Sequence, residues 1–403
     1  MSTPSMEATL PETETFPRPA ARIEDASPLT DPPRTTKGCD TSDRRRHQRP
    51  GPVLRPRSRV ATTAGASVAR HPLERLDLCR IPRRGRVSAA TAALLHGLLV
   101  QSGRRPALLT PEGGRIADRL FPQRPMRDEA PEWARLLATH VRWGGDCLVV
   151  EEDAEIQALI QDARPRARVE STATARVRLE AQALHWRGTR LRILGLPGTP
   201  ERTAHLPLVG TSNLQGLEAA LDLALAAGCP APRALGALPL LEPPPGLLEP
   251  VPAGQPFAVF IDRASSASEL AALLAEARAL GGRRILLVAG IRGSSASTDR
   301  MALGAAARAA DEVVFTSDNP GHVPADGILA DLQLGFGGGA LEEPDRHEAI
   351  RAAIRNARAD DVVLIAGKGA LSFQEVRGSV VPWDDRLHAR DALASRGWVG
   401  DSL

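Results

Sequence analysis

The sequence predicts an α/β protein with two parallel-sheet domains behind a disordered N-terminal tail. Three observations lead there. Residues 311–320, DEVVFTSDNP, and 361–369, DVVLIAGKG, are short β-branched runs that stop on small or polar residues. Continuous apolar runs of this kind, separated by helical segments, are the mark of strands buried on both faces of a parallel sheet. The first sixty residues, in contrast, are dense in Pro, Thr, Ser and Arg without apolar periodicity, and bury too little surface to offset the entropy of ordering.

Composition bounds the rest. A chain of 403 residues, 42% apolar, is long enough for two domains with their own cores. Of 51 basic residues only Lys37 and Lys368 are lysine, which reads as the bias of a GC-rich genome. The run from Arg44 to Arg59 holds seven arginines and no acid, so the formal charge of +3 becomes 3 − 7 = −4 for the remainder. That run is the one segment suited to nucleic acid or another polyanion, but it lacks stacking aromatics, and a merely solvated tail is the expected reading. Cys39, Cys79, Cys147 and Cys229 have no metal-ligand spacing, as expected of buried, inert thiols in a reducing cytosol. No run approaches the roughly 20 apolar residues of a membrane span, and no signal-like segment opens the chain, so a cytoplasmic protein without membrane contact is expected.

In order, residues 1–60 form the tail and 70–240 the central domain. The segment ERLDLCRIPRRGRVSAATAALLHGLLVQSGRRPALLT reads as strand, glycine turn, amphipathic helix and strand. PEWARLLATHVRWGG is a helix with a half-apolar face, and DCLVVEEDAEIQALI a strand followed by a helix. RVRLEAQALHWRGTRLRI alternates as a hairpin turning at Arg187 and Gly188. Residues 241–256, rich in proline, can be neither helix nor central strand and mark the domain boundary. In 257–403, FAVFID, RRILLVAG, DEVVFTS and DDVVLIAG read as four strands with helices between them, a small doubly wound sheet. Ligands of such sheets gather outside the carboxyl ends of the strands. There the sequence puts Asp318, Asn319, Pro320, Gly367 and Lys368.

TSDNP, IAGKG and the later DDR, with the helix DRHEAIRAAIRNAR, together resemble the C-terminal domain of the Mur ligases, most closely the type that adds the third peptide residue to UDP-MurNAc-dipeptide. The resemblance runs patchily from Leu73 to Leu393 and implies a shortened P-loop-like central domain, a Rossmann-like C-terminal domain and no N-terminal UDP-binding domain. It implies ATP and Mg²⁺ as cofactors if the chain is active. A P-loop closes backbone N–H groups around phosphates while a lysine reaches the outer ones. The family's loop, roughly GTNGKTT, corresponds to IPRRGRVSAAT. With Gly85 at its last glycine, Arg86 stands for the lysine and Val87 for the first threonine; in the other register Ser88 takes the lysine's place.

Gly85, Arg86 and Ser88 are therefore candidate nucleotide contacts, or else an ordinary strand-helix junction. Glu151 is the candidate heir of a Mg²⁺-binding glutamate; alternatively Glu151, Glu152 and Asp153 are an acid cluster at a helix N-terminus. Asn213 matches an asparagine that meets the nucleotide base, with Gly216 at the family's second asparagine, although Ser212 or Asn213 can also be read as a helix N-cap. Arg300 is the remnant of an arginine-rich run. Asp318, Asn319, Pro320, Gly367 and Lys368 are candidate substrate contacts, or a retained turn with a solvated lysine.

Departures from the family pattern are concentrated where charge is needed. Gly321 replaces the arginine that grips an amino acid's carboxylate, Ala370 and Leu371 replace a His-Glu pair, Ser265 a histidine, and Leu247 an arginine. No lysine lies between Lys37 and Lys368 to replace the family's carbamylated one. With no catalytic residue recognisable, the expectation is a catalytically degenerate homologue acting as a binding or interaction module, with cell-wall synthesis proteins or a complete Mur ligase as partners. An active ATP-dependent ligase is the alternative.

Overall fold

The computed structural model describes residues 72–116, 119–121, 130–160, 164–170 and 177–399. The expected tail, its arginine run and Cys39 lie outside these residues.

Six strands form the first sheet: β1 (Asp77–Pro82), β2 (Pro106–Thr110), β3 (Gly113–Ile116), β4 (Arg119–Phe121), β5 (Cys147–Glu152) and β6 (Ala167–Glu170), in the order β4-β3-β2-β5-β1-β6. Strands β2, β5, β1 and β6 are parallel, and β3 and β4 turn back antiparallel at one edge. Nearly all of CLVVEE in β5 is buried, because helices cover both faces. On one face α1 (Arg86–Gln101) lies between the sheet and a later helix, which explains why it is apolar around most of its circumference. The other face is covered by α2 (Ala130–Arg142) and α3 (Ala154–Ile160) through Trp133, Leu137, Ile156 and Ile160.

The expected hairpin is present as β7 (Arg178–His185) and β8 (Gly188–Leu194), with β9 (Arg202–Leu206) adding a third antiparallel strand. The turn falls one residue earlier than expected, at Trp186 and Arg187. Next comes α4 (Thr211–Ala226), the helix packed on α1, followed by the short α5 (Ala231–Ala237). Gly216 makes the α1–α4 approach possible: a Cβ there would stand 2.5 Å from Ala90 Cβ and 3.0 Å from Thr91 N.

A second sheet has the order β10-β11-β15-β12-β13-β14. Its four expected strands are β11 (Ala258–Asp262), β12 (Ile285–Ala289), β13 (Glu312–Phe315) and β15 (Val362–Ala366). Two-residue strands flank them, β10 (Glu249–Pro250) and β14 (Leu341–Glu342). Strand β10 lies in the proline-rich segment and pairs antiparallel at the edge, where Pro250 needs no N–H. Helices α6 (Ala267–Ala279), α7 (Ser297–Ala307) and α8 (Ala325–Phe336) cover one face; α9 (Arg346–Asn356) and α10 (Asp385–Ala394) cover the other. Between β15 and α10 a hairpin, β16 (Phe373–Val376) and β17 (Ser379–Pro382), folds back so that Gly321 N–H donates to Glu375 O (3.1 Å) and Arg377 N–H to Gly321 O (2.6 Å). Among the described residues no helix is long and apolar enough to cross a membrane.

Candidate functional site

At the β1–α1 turn Gly85 has φ 64° and precedes the helix without a side-chain cap. The conformation is one that glycine adopts without strain. Arg86, the first residue of α1, reaches into the second α/β half. Its Nη1 donates to Asp262 Oδ1 (2.5 Å) and its Nη2 to Asp262 Oδ2 (2.9 Å), at the carboxyl end of β11. Asp262 also accepts from the Leu248 (2.8 Å) and Ala264 (2.9 Å) N–H groups, and it is fully buried, with Arg86 only 7% exposed. Burial works against the guanidinium charge, but Asp262 and Glu276 outweigh it and hold its pKa above the ordinary arginine value. The only cation at this turn that is buried is therefore bonded to a carboxylate of the same chain; Arg83 and Arg84 are exposed.

One turn further, Ser88 Oγ accepts from Arg84 N–H (2.7 Å) and stands 2.7 Å from Glu151 Oε1 and 3.0 Å from Gly85 O. Glu151, at the carboxyl end of β5, is fully buried and its Oε2 has no partner. Burial pushes its carboxyl pKa up, only partly offset by Ser88. The expected acid cluster divides into three fates: Glu151 bonds Ser88, Glu152 pairs with Arg80, and Asp153 alone caps α3 by accepting from Ile156 N–H (2.9 Å). Among the described residues no three His, Cys, Asp or Glu side chains are grouped so as to hold a metal ion.

Asn213 is buried, and its Nδ2 donates to Val209 O and Leu247 O, both at 2.8 Å, which ties the start of α4 to the proline-rich segment. Its Oδ1 has no partner. The N-cap reading fails, since Gly210 holds that position with no side-chain bond and Ser212 Oγ goes to Glu276 Oε1 (2.6 Å). Arg300 stands apart from Arg86 and Ser88, bonded to Asp331 (3.1 Å) and Gly293 O (2.8 Å).

Asp318, Asn319 and Lys368 come together at the ends of β13 and β15. Lys368 Nζ lies 3.2 Å from Asp318 Oδ1, donates to Asn319 Oδ1 (3.1 Å), and is 2% exposed, so it is not a solvated turn lysine. Desolvation lowers its pKa, and Asp318 acts against that. Asn319, at φ 46°, also accepts from Glu375 N–H (2.9 Å) and so anchors the β16–β17 hairpin. Gly367 has to be glycine-like here, for a Cβ would meet Asp318 Oδ2 at 2.8 Å. Beside this turn Pro320, Gly321 and Phe373 border a cleft of about 370 Å³.

Sequence reasoning missed the pair of Arg346 and Asp385, both fully buried, with Nε–Oδ1 at 2.8 Å and Nη2–Oδ2 at 2.6 Å. The adjacent acids of the DDR run part company: Asp384 caps α10 and Asp385 turns inward to Arg346. A signal was present: an arginine at the head of an apolar-faced helix, where an acid is the electrostatically favoured residue.

Residues 248–369 match the sequence profile of the Mur ligase glutamate ligase domain. The chain is a Mur ligase homologue. It is 39% identical over 194 residues to the UDP-N-acetylmuramoyl-L-alanyl-D-glutamate–2,6-diaminopimelate ligase of Geobacillus kaustophilus, covering 47% of this chain and 40% of that protein. Against the UDP-N-acetylmuramyl-tripeptide synthetase of a Roseiflexus strain the identity is 32% over 262 residues, 62% of this chain and 52% of the relative. The Mur ligase homologue thus spans about half or less of these relatives' length. Among solved structures it superposes on a 2,6-diaminopimelate ligase with a TM-score of 0.53 at 19% identity, covering 80% and 79% of the two chains. A folylpolyglutamate synthase of Thermotoga maritima gives 0.55 at 13%, covering 73% and 87%. At such identities these two likenesses establish the fold.

Proposed function

We propose that this Mur ligase homologue does not perform amide ligation and acts as a binding or interaction module, its partner class being a complete Mur ligase or another enzyme of cell-wall precursor synthesis. The Arg86–Asp262 pair carries the reading. A P-loop seats a triphosphate with backbone N–H groups and a free lysine ammonium. Here the corresponding cation is buried and bidentate on Asp262. To reach a phosphate it would have to leave that carboxylate buried and unpaired, at a cost of about 3–5 kcal/mol. Mg²⁺ fits no better, since it requires near-octahedral oxygen ligands. Ser88 and Glu151 offer it one hydroxyl and one carboxyl whose burial favours the neutral form. Gly321 and Leu371, in place of an arginine and a glutamate in the family pattern, remove groups that would hold an incoming amino acid.

An active ATP-dependent ligase is the second reading, and one observation favours it. Ser88 and Glu151 face each other at 2.7 Å at the head of α1, the hydroxyl and carboxylate types that a Mg²⁺ site beside a phosphate loop uses. Purified full-length protein, given Mg-ATP, UDP-MurNAc-dipeptide and either diaminopimelate or lysine, should release no ADP above the protein-free rate while a complete relative turns over. Release that depends on the amine would establish the second reading instead.

A further inference from the structure

Two histidines outside the sites described above meet where α9 and α10 begin. His347 follows Arg346 at the head of α9, and His388 lies one turn into α10. The buried Arg346–Asp385 pair draws the two helix heads together and so brings the rings into contact. Their Nδ1 atoms are 2.9 Å apart and their centroids 5.0 Å, with 70° between the ring planes. Such a bond requires one ring to donate and the other to present its lone pair. Both side chains are half-buried, His347 at 28% exposure, so the pair lies at the surface and within reach of small solutes.

The surroundings favour a cation held by lone pairs. Burial and the neighbouring His347 lower the pKa of His388, so near neutral pH its ring is uncharged, the form that ligates metals. Asp385, Asp384 and Asp391 act on it with negative charge. His347 Nε2 lies 3.8 Å from Asp391 Oδ2. A carboxylate there keeps the proton on the outer nitrogen and leaves the Nδ1 lone pair facing His388, the arrangement that supports ligating histidines. His388 is held from its other side, for its ring stacks on Trp383 with centroids 4.0 Å apart and Trp383 Nε1 donates to Asp385 Oδ1 (2.8 Å). An ion bound to two imidazole nitrogens at about 2.0–2.1 Å with a tetrahedral angle sets them about 3.4 Å apart, so an opening of about half an ångström admits it.

We propose that His347 and His388 bind a divalent transition-metal ion of the zinc, nickel or copper type between their Nδ1 atoms, with water in the remaining positions. The class follows from the donors: imidazole suits these ions, whereas Mg²⁺ takes oxygen ligands. On binding, the proton between the rings moves to an outer Nε2 and both Nδ1 lone pairs face the metal. Two donors are fewer than the four of a structural zinc site, and among the described residues no third His, Cys, Asp or Glu is grouped with them. Binding is therefore reversible and follows the free metal concentration. The ion ties α9 to α10 and, through Trp383, steadies the base of the β16–β17 hairpin. The pair shares no residue with Arg86–Asp262 or Ser88–Glu151, so the inference stands whether or not the chain ligates.

The probe is zinc chloride, titrated by calorimetry into tag-free full-length protein near neutral pH. A saturable component with a dissociation constant on the order of 10–100 µM is expected, half of a structural ligand set being present. His347→Gln and His388→Gln should each weaken it by about tenfold or more, Asp391→Asn should weaken it severalfold, and excess Mg²⁺ should not compete. The Asp391 side chain is 63% exposed, so its variant remains folded and informative if a histidine variant does not. Cu²⁺ gives a second readout, because this paramagnetic ion quenches an indole stacked on a ligating ring. Its quenching of tryptophan fluorescence should saturate in the wild type and shrink in both His388→Gln and Trp383→Phe. No saturable zinc heat up to about 1 mM, or zinc heat that His388→Gln and Asp391→Asn leave unchanged, would overturn the proposal.

Discussion

Arg86 and Asp262 are 176 positions apart, and nothing in either local sequence announces the other. Arginine at a lysine position keeps charge, but its planar fork can bind a carboxylate with two parallel bonds, which an ammonium cannot. The Arg86→Ala variant should lose about 3–5 kcal/mol of unfolding free energy in denaturant titration, because Asp262 is left buried and uncompensated. A loss below about 1 kcal/mol would mean the pair behaves as an exposed one. A second residue-scale test concerns His96, buried on α1, whose pKa is lowered to about 4 by burial and the nearby Arg115. Between pH 6.5 and about 4 the unfolded imidazole takes up a proton that the folded one does not, so stability falls as pH falls through that window. The slope is about 1.4 kcal/mol per pH unit, and roughly 3 kcal/mol over the whole window. Glu151, its carboxyl pushed up by burial, pulls the opposite way. Denaturant midpoints at pH 7 and pH 5 for wild type and His96→Gln isolate the histidine: the variant should lose less stability on acidification.

At the level of elements, what was legible followed from pattern length. β11, β12, β13 and β15 are five- or four-residue apolar runs buried on both faces, and their β-branched composition declared them. β10 and β14 have two residues each, too few for any periodicity. The β16–β17 hairpin was missed although its Arg377–Gly378 turn repeats the arginine-glycine signal that identified the β7–β8 hairpin; its strands are largely exposed and gave no apolar alternation. Lys368 was legible as a position between two glycines, and its burial was not, because the hairpin that covers it went unrecognised. Helix α4 offers the test at this scale. Gly216→Ala brings a methyl group to 2.5 Å from Ala90 Cβ, and should lower stability by about 1–3 kcal/mol through overpacking against α1. A neutral result in thermal or denaturant unfolding would mean that the two helices can separate without penalty.

For the whole molecule, the α/β class with parallel-sheet domains followed from the alternation of strands and helices, while the fate of each polar residue at the strand ends depended on contacts across the chain. Asn213, Asp318, Asn319 and Lys368 were candidate ligand contacts with a structural alternative, and each makes bonds within its own chain. Arg86 is likewise held by Asp262, and on the function proposed above these internal bonds leave no seat for a triphosphate. Calorimetric titration of Mg-ATP into the full-length protein tests this most directly. No saturable heat is expected at micromolar concentrations, for the wild type and for Arg86→Ala alike. A micromolar dissociation constant that Arg86→Ala abolishes would show instead that the guanidinium leaves Asp262 for a phosphate and that the triphosphate seat is intact.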